Sequence, residues 1–226
     1  MDDAALYRLV SWLSPNYPVG AFAYSHGLEW AIEVGDVADQ MSLGHWVVDV
    51  LTFGAGGNDA ILLHETWQAV TEQDARRLET VAELAAAMAI GRERRLETLA
   101  QGTAFMTATD DVWATSSPAN LRSVLGDDIA YPVAVGFAAA AHGVPPRLSV
   151  VAYLHAFAAN VISAGVRLIP LGQTAGQRVL ASAEPAIQQA ADRAMHGGLE
   201  DLGGAALLSD IAALCHETQY TRLFRS

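Results

Sequence analysis

Apolar residues recur along most of the chain at intervals of three and four, and strict alternation of apolar and polar positions is almost absent. The first such segment, AALYRLVSWLS, places Leu6, Leu9, Val10 and Leu13 on one stripe and ends at Ser14-Pro15. This spacing is typical of amphipathic α-helices, and Gly and Pro punctuate it at helix-like intervals. The pattern predicts an all-α fold, a single-domain bundle of roughly eight to ten helices over residues 1–226.

Several later segments have equally clear helix signals. Ser42 is expected to cap a helix that carries Trp46, Val47 and Val50, and the pair Pro145-Pro146 is expected to start a helix that Pro170 ends. Residues 71–106 contain strong helix formers and Glu/Arg pairs, and they predict either two helices or one helix kinked near Gly91. Residues 110–128 are rich in loop-forming residues, and the YPVAVGFAAAAHGV segment predicts a helix packed through small side chains.

One apolar stretch, residues 148–166, carries no formal charge and is long enough to cross a bilayer, which takes about 20 residues. It also contains His155, Asn160 and two serines, is rich in alanine, and leads into Arg167. A buried core helix is therefore the favoured interpretation, and no membrane partner is expected.

Composition and charge exclude several classes of function. The chain of 226 residues is 52% hydrophobic and carries a formal net charge of −12, so a nucleic-acid partner is not expected. All 13 basic residues are arginine, which excludes Schiff-base, Walker-type and Ser-Lys chemistry. One cysteine excludes an internal disulfide, and Met1-Asp2-Asp3 lacks the features of a secretory leader, so a cytoplasmic location is expected.

Candidate metal and catalytic groups are sparse. The seven histidines include no pair at i and i+4, and the serines lack a Gly-x-Ser-x-Gly elbow. Cys215 and His216 are adjacent and are weak candidates for a soft divalent ion such as Ni²⁺, although two ligands are too few for tight binding.

Polar residues at the end of the apolar helix form a second pattern. Asn160, Ser163 and Arg167 share one helix face, and PLGQTAGQR follows them. Such groups form either an internal polar seam or a groove that a partner meets, because burying them unpaired is costly. The aromatic residues of NYPVGAFAYSHGLEW are either core plugs or interface anchors.

Four stretches together carry a resemblance. SPNYPVGAFAYSHGLE, YPVAVGFAAAAHGVP, NVISAGVRLIPLGQTAGQR and DIAALCHETQYTRLFRS occur in this order, and with them the chain resembles the urease accessory protein UreF family nearly end to end. The resemblance implies an all-helical, dimerising protein with no enzymatic activity of its own. It implies that this protein joins a D- or H-type accessory protein and the GTPase UreG, and that the assembly delivers Ni²⁺ to apo-urease without this chain binding a cofactor tightly.

The resemblance also implies roles for particular residues. A C-terminal tail at about 216–226 is expected to be mobile when free and to become ordered on the D/H-type partner. The residues implied to dock on that partner are Gln219, Tyr220, Arg222, Leu223, Phe224 and Arg225. The residues implied to serve the GTPase contact are Tyr24, Glu29, Arg167, Gln173, Gln177, Arg178 and Arg222.

Two alternatives remain open at this point. The chain could be a nickel carrier that binds the ion itself through Cys215 and His216. It could also be a helical enzyme with a pocket near Arg167, although no acid–base pair is evident there.

Overall fold

The computed structural model describes residues 3–113 and 119–226, and within them every regular element is helical, which confirms the all-α class. Twelve α-helices occur in this part of the chain, and ten of them have ten residues or more. Two short 3₁₀ turns, Ala21–Ala23 and Leu199–Asp201, complete the fold. The helices are α1 (Asp3–Trp12), α2 (Leu28–Glu33), α3 (Gln40–Phe53), α4 (Ala55–Thr71), α5 (Ala75–Ala87), α6 (Gly91–Val112), α7 (Ala119–Val124), α8 (Tyr131–Ala141), α9 (Pro146–Leu168), α10 (Gln173–Ser182), α11 (Glu184–His196) and α12 (Leu207–His216).

Helix α4 lies at the centre of the fold and packs against α3, α5, α8, α9 and α11. The small-residue helix α8 lies closest to it. A Cβ atom on Gly136 of α8 would come within 2.5 Å of the Leu63 carbonyl oxygen of α4. Small side chains therefore let two backbones touch here, as the sequence of α8 predicts.

Helix α9 covers the apolar stretch, begins at Pro146 and ends at Leu168, two residues before Pro170. It and the α3–α4 segment, Gln40–Thr71, are long and apolar enough to cross a membrane by length and composition. Half of the most apolar window of α9, and 61% of that in α3–α4, is buried against other helices. This burial fits core helices, as predicted for α9.

One local helix signal differs from the sequence-based expectation. Asp39, not Ser42, is the N-cap of α3: its carboxylate accepts the Ser42 N–H at 2.8 Å, and the Ser42 hydroxyl accepts the Asp39 N–H at 3.1 Å. Ser42 is thus the third-position member of a reciprocal capping box. The glycine-rich segment after α3 breaks the helix only at Gly54, because α4 begins at Ala55.

The sequence of residues 71–106 allows either two helices or one kinked helix, and the structure has two helices. Met88 ends α5, and Gly91 opens α6 with a φ of +76°. Helix α6 continues to Val112, so the predicted loop over 110–128 is shorter than expected, and it contains α7. Residues 114–118 of that span lie outside the described residues.

The C-terminal helix α12 packs against α2 through a close backbone contact. Gly27, which precedes α2, has a φ of +76°, and a Cβ atom there would lie 2.6 Å from the Ala213 amide nitrogen. Only glycine suits both the backbone conformation and the space. This contact fixes where α12 ends, and therefore where the last ten residues start.

Candidate partner-docking site

The last ten residues, 217–226, which we call the tail, fold back onto the body of the protein. The Arg225 N–H donates to the Ala23 carbonyl oxygen at 2.8 Å, and the Ser25 N–H donates to the Ser226 carbonyl oxygen at 2.9 Å. Phe224 is 4% exposed and Ser226 is 2% exposed. The tail is therefore docked on the body, where its polar groups find partners within the chain.

Glu29 of α2 is the main anchor of the tail. One of its carboxylate oxygens accepts the Leu223 N–H at 2.6 Å, and the other accepts the Phe224 N–H at 2.9 Å. Two amides that have no helix or sheet partner are satisfied in this way by one buried side chain. Glu29 thus supplies the acceptors that a neighbouring strand would supply to these amides in a β-sheet.

His216, at the end of α12, connects this anchor to a second carboxylate. Its Nε2 lies 3.1 Å from Glu29 Oε2, and its Nδ1 lies 2.6 Å from Glu93 Oε2 of α6. The other oxygen of Glu93 accepts a hydrogen bond from the Arg222 guanidinium. His216 has no exposed surface, and both carboxylates are 7% exposed. Two carboxyl groups, an imidazole and a guanidinium therefore form a continuous chain of contacts from α2 to the tail.

A third carboxylate, Glu97, holds the end of the tail. It lies one turn beyond Glu93 on α6, is 1% exposed, and accepts the Ser226 hydroxyl at 2.6 Å. The Arg94 guanidinium pairs with it, and Gln101 donates to it at 3.2 Å. His26 Nδ1 lies 2.8 Å from Glu97 Oε1 but is not aligned for a hydrogen bond, so this contact is electrostatic only.

The aromatic ring of Phe224 is covered by Arg167 of α9. The guanidinium carbon lies 4.3 Å from the ring centroid, which is a cation–π contact. The same guanidinium donates to the Phe22 carbonyl oxygen at 2.9 Å. Arg167 therefore joins the tail to the N-terminal loop.

The outward side of the tail is uncovered. Tyr220 is fully exposed and the Leu223 side chain is 66% exposed. The outer face of α12 is apolar as well, and Leu214 on it lies beside Gly91, where a Cβ atom would be 3.1 Å from the leucine methyl. The exposed apolar residues on that face are Leu207, Leu208, Ile211 and Leu214.

The residues implied for the GTPase contact fall into two groups. Tyr24 and Glu29 are buried, and the Tyr24 carbonyl oxygen accepts the Asn160 amide at 3.3 Å, so both could act on a partner only through the tail and the loop around them. Arg167 and Arg222 contact other parts of the tail network. The other residues implied for this contact are exposed on α10, and they are Gln173, Gln177 and Arg178.

Behind the tail lies a cavity of about 390 Å³, which Glu97, His26, Asn160 and Ser163 help to line. Asp59 of α4 faces the same cavity and accepts a hydrogen bond from the Tyr153 hydroxyl at 2.7 Å. Burial, opposed by that hydrogen bond, raises the pKa of Asp59 to about 7. Asn160 is half-buried and Ser163 is exposed, so these polar residues border a partly open groove and not a closed internal seam.

Comparison with known proteins decides the family. The UreF family model matches residues 37–184 of this chain. The chain is 53% identical over 225 residues to a urease accessory protein UreF of Rhodopseudomonas palustris (strain HaA2), which covers 100% of this chain and 95% of that protein. It is 51% identical to a urease accessory protein UreF of Bradyrhizobium sp. (strain ORS 278), covering 99% and 92%. This chain belongs to the UreF family.

Membership in the UreF family confirms the predicted resemblance and the coarse role that it implies. The relatives are named as accessory proteins of urease and not as enzymes, so the prediction of a non-enzymatic chain is confirmed at that level. An enzyme with a pocket near Arg167 is not supported, because the relatives are named as accessory proteins.

The nickel-carrier alternative is not favoured in this UreF-family chain. Both ring nitrogens of His216 are engaged by carboxylates, and Cys215 beside it is half-buried. In the described part of the chain, no group of three or more His, Cys, Asp or Glu side chains has a metal-binding arrangement. A metal at His216 would have to displace the contacts that hold the tail.

Sequence reasoning identified the tail of this UreF-family chain but missed the residues that receive it. Glu93 and Glu97 were interpreted only as members of Glu/Arg pairs on a helix surface. Their spacing of four residues does place them on one face of α6, and that face is buried. The burial follows from the packing of α12 and the tail, which local periodicity cannot show.

Proposed function

We propose that this chain is a scaffold and GTPase-regulating chaperone of urease maturation, which bridges a D/H-type accessory protein and the GTPase UreG during nickel insertion into apo-urease. In this proposal the chain works in the cytoplasm as a homodimer, and nickel is handled by the assembly without a tightly bound cofactor. The observation that supports it best is a tail with an anchored inner side and an exposed apolar outer side.

The two sides of the tail suggest separate tasks. Exposed side chains such as Tyr220 and Leu223 supply apolar area without the cost of ordering a free segment, because the backbone is already fixed by Glu29. Aromatic and arginine residues are the usual anchors of protein interfaces. Tyr220, Leu223 and Arg225 thus form the contact with the D/H-type partner, while Gln219 and Phe224 support it from beneath.

Arg222 has a different part in this proposal. Its pairing with Glu93 ties the tail to α6, so its effect on the GTPase is indirect. UreG then recognises the surface around the docked tail, including Arg167 and the exposed side of α10. Loss of Arg222 loosens this surface without removing the apolar side chains that meet the first partner.

The test is a co-purification of the full chain with its D/H-type partner and UreG. Deleting residues 217–226 removes the contact but also uncovers Glu29, Glu93 and His216, so a milder variant is more informative. Leu223→Asp changes a side chain that is 66% exposed and should weaken binding of the D/H-type partner at least about tenfold. Met41→Asp, on α3 and 68% exposed, is the matched control and should bind normally.

Arg222→Ala addresses the second half of the proposal. The variant should retain its contact with the D/H-type partner and fail to recruit UreG. Stoichiometric UreG in the Arg222→Ala assembly would reject the role of this arginine. Normal partner binding by Leu223→Asp would reject the tail as the docking element.

A further inference from the structure

Three buried nitrogen atoms without hydrogen-bond partners lie where α1 meets the ends of α6 and α8. They are Arg8 Nε and Trp12 Nε1 of α1, and Nε2 of His142, the residue that ends α8. Trp12 has no exposed surface. A buried polar group without a partner is costly to the fold, and most such groups in proteins are satisfied. Three of them in one place therefore indicate an occupant that the chain itself does not supply.

Helix spacing and ring contacts bring the three side chains together. Arg8 and Trp12 are four residues apart on α1, so their side chains share one face of the helix. The centroids of the Trp12 and His142 rings are 5.1 Å apart, with an angle of 62° between the ring planes. Burial lowers the pKa of the His142 ring, and the nearby charge of Arg8 lowers it further. An occupant of so confined a place must be small.

The protonation of the His142 ring determines which groups the occupant must offer. The ring donates a hydrogen bond to the backbone carbonyl oxygen of Trp113, and because Nε2 is the nitrogen without a partner, the donor is Nδ1. A neutral ring then has a lone pair on Nε2, which accepts a hydrogen bond. The side-chain nitrogens of Arg8 and Trp12 only donate. The three nitrogens therefore match an occupant with two acceptors and one donor.

Charge distinguishes an ion from a water molecule at this place. Water can accept from Arg8 and Trp12 and donate to His142, but it brings no charge. Within the described residues no carboxylate forms an ion pair with Arg8, whose Nε is buried. A guanidinium binds an oxyanion through strong, charge-assisted hydrogen bonds. An oxyanion that keeps one proton therefore satisfies both the hydrogen bonds and the charge.

We propose that Arg8, Trp12 and His142 form a binding site for a small oxyanion that keeps one proton, the chemical class that includes hydrogencarbonate and hydrogenphosphate. Two oxygens of the ion accept from Arg8 and Trp12, and its hydroxyl group donates to Nε2 of His142. None of the residues that hold the tail belongs to this site. The site is a property of the chain alone and does not depend on the proposed partners.

Nuclear magnetic resonance of the indole N–H groups tests the site in the full chain near neutral pH. Each of the five tryptophans gives one indole signal, and the signal that is missing from Trp12→Phe belongs to Trp12. Hydrogencarbonate and inorganic phosphate, each titrated at constant ionic strength, should shift the Trp12 signal to a saturating value. Acetate and chloride have no proton to donate to His142, so they should bind at least about tenfold more weakly.

A second tryptophan and a second arginine are the matched controls. Trp46 of α3 is buried and its indole N–H also lacks a partner, and its signal should not follow the titration. Arg8→Met keeps much of the side-chain length and loses the charge, so it should weaken binding of both oxyanions at least about tenfold, with unchanged helical circular dichroism. Arg178→Met, at an exposed arginine of α10, should bind as the unaltered chain does.

The outcomes of these titrations either support the site or reject it. A saturating response to only one of the two oxyanions supports the site and fixes the size of the ion that it admits. A Trp12 signal that stays unchanged rejects the site, because water alone then occupies the place. The site is also rejected if chloride or acetate acts as strongly as the two oxyanions, or if Arg8→Met binds them with unchanged affinity.

Discussion

Two acidic sites inside the fold differ in how their carboxylates are satisfied. At the tail, Glu29 and Glu93 each have a histidine contact and further donors, two backbone amides on Glu29 and the Arg222 guanidinium on Glu93. Asp59 has the Tyr153 hydroxyl as its side-chain donor, and burial raises its pKa to about 7.

The difference lies in the number of hydrogen-bond donors that each carboxyl group meets. Burial with a single neutral donor favours the protonated form of Asp59. The Asp59 site therefore tolerates a carboxyl group that costs stability once it ionises, whereas the tail site uses several donors to hold two segments together. The predictions below separate the two sites by the size and the pH dependence of their effects.

The largest effect is expected for Glu93→Ala. The change leaves His216 and Arg222 without their shared acid, and breaking a buried pair in this way costs about 3–5 kcal/mol. Urea unfolding at neutral pH measures the free energy. Glu79→Ala, an exposed acid on α5, is the control and should change it by less than about 0.5 kcal/mol. Equal effects of the two substitutions would contradict the role of the tail network.

The Asp59 site should make the free energy of unfolding depend on pH. Its folded-state pKa of about 7 lies above the ordinary value of 3.8 for an aspartic acid, so the folded chain binds more protons than the unfolded chain between these values. Stability from this group is therefore present at low pH and is lost as pH rises toward 7.

Asp59→Asn should remove this loss. Relative to the unaltered chain, the variant should gain on the order of 4 kcal/mol at alkaline pH and less than half of that near pH 5. Thermal unfolding across pH measures the difference, and Asp49→Asn, an exposed acid on α3, should show no such trend. A gain that does not vary with pH would contradict the assignment.

The smallest effect is expected at an exposed ion pair. Arg147 of α9 donates to Asp192 of α11 at 2.6 Å, and their side chains are 47% and 58% exposed. Exposed pairs contribute at most about 1 kcal/mol, so Arg147→Ala should lower the free energy of unfolding by roughly 0.5 kcal/mol. A loss as large as that of Glu93→Ala would show that burial does not determine how much such contacts stabilise the fold.

Much of the fold could be predicted from local sequence. Apolar spacing and the prolines at 145, 146 and 170 placed α9 within one or two residues, and small residues indicated the close packing of α8. Short helices such as α2 and the exact cap of α3 were missed, because six residues carry too little periodicity and because Asp39 and Ser42 can each serve as a cap.

The tail site was predictable on one side only. Docking side chains at residues 219–225 are visible in the sequence, and the residues that receive them are not. Glu29 and His216 are 187 residues apart, and Glu93 and Arg222 are 129 apart. Periodicity relates residues three or four positions apart, so convergence of α2, α6 and the tail becomes visible only in the folded chain.

The central claim is that the tail of the isolated chain is docked through Glu29. Hydrogen exchange of the Leu223 and Phe224 amides tests it most directly, because both amides donate to that carboxylate. The account predicts exchange slowed well below that of an unstructured peptide, with protection lost in Glu29→Ala. Exchange of both amides at the unstructured rate in the unaltered chain would contradict it.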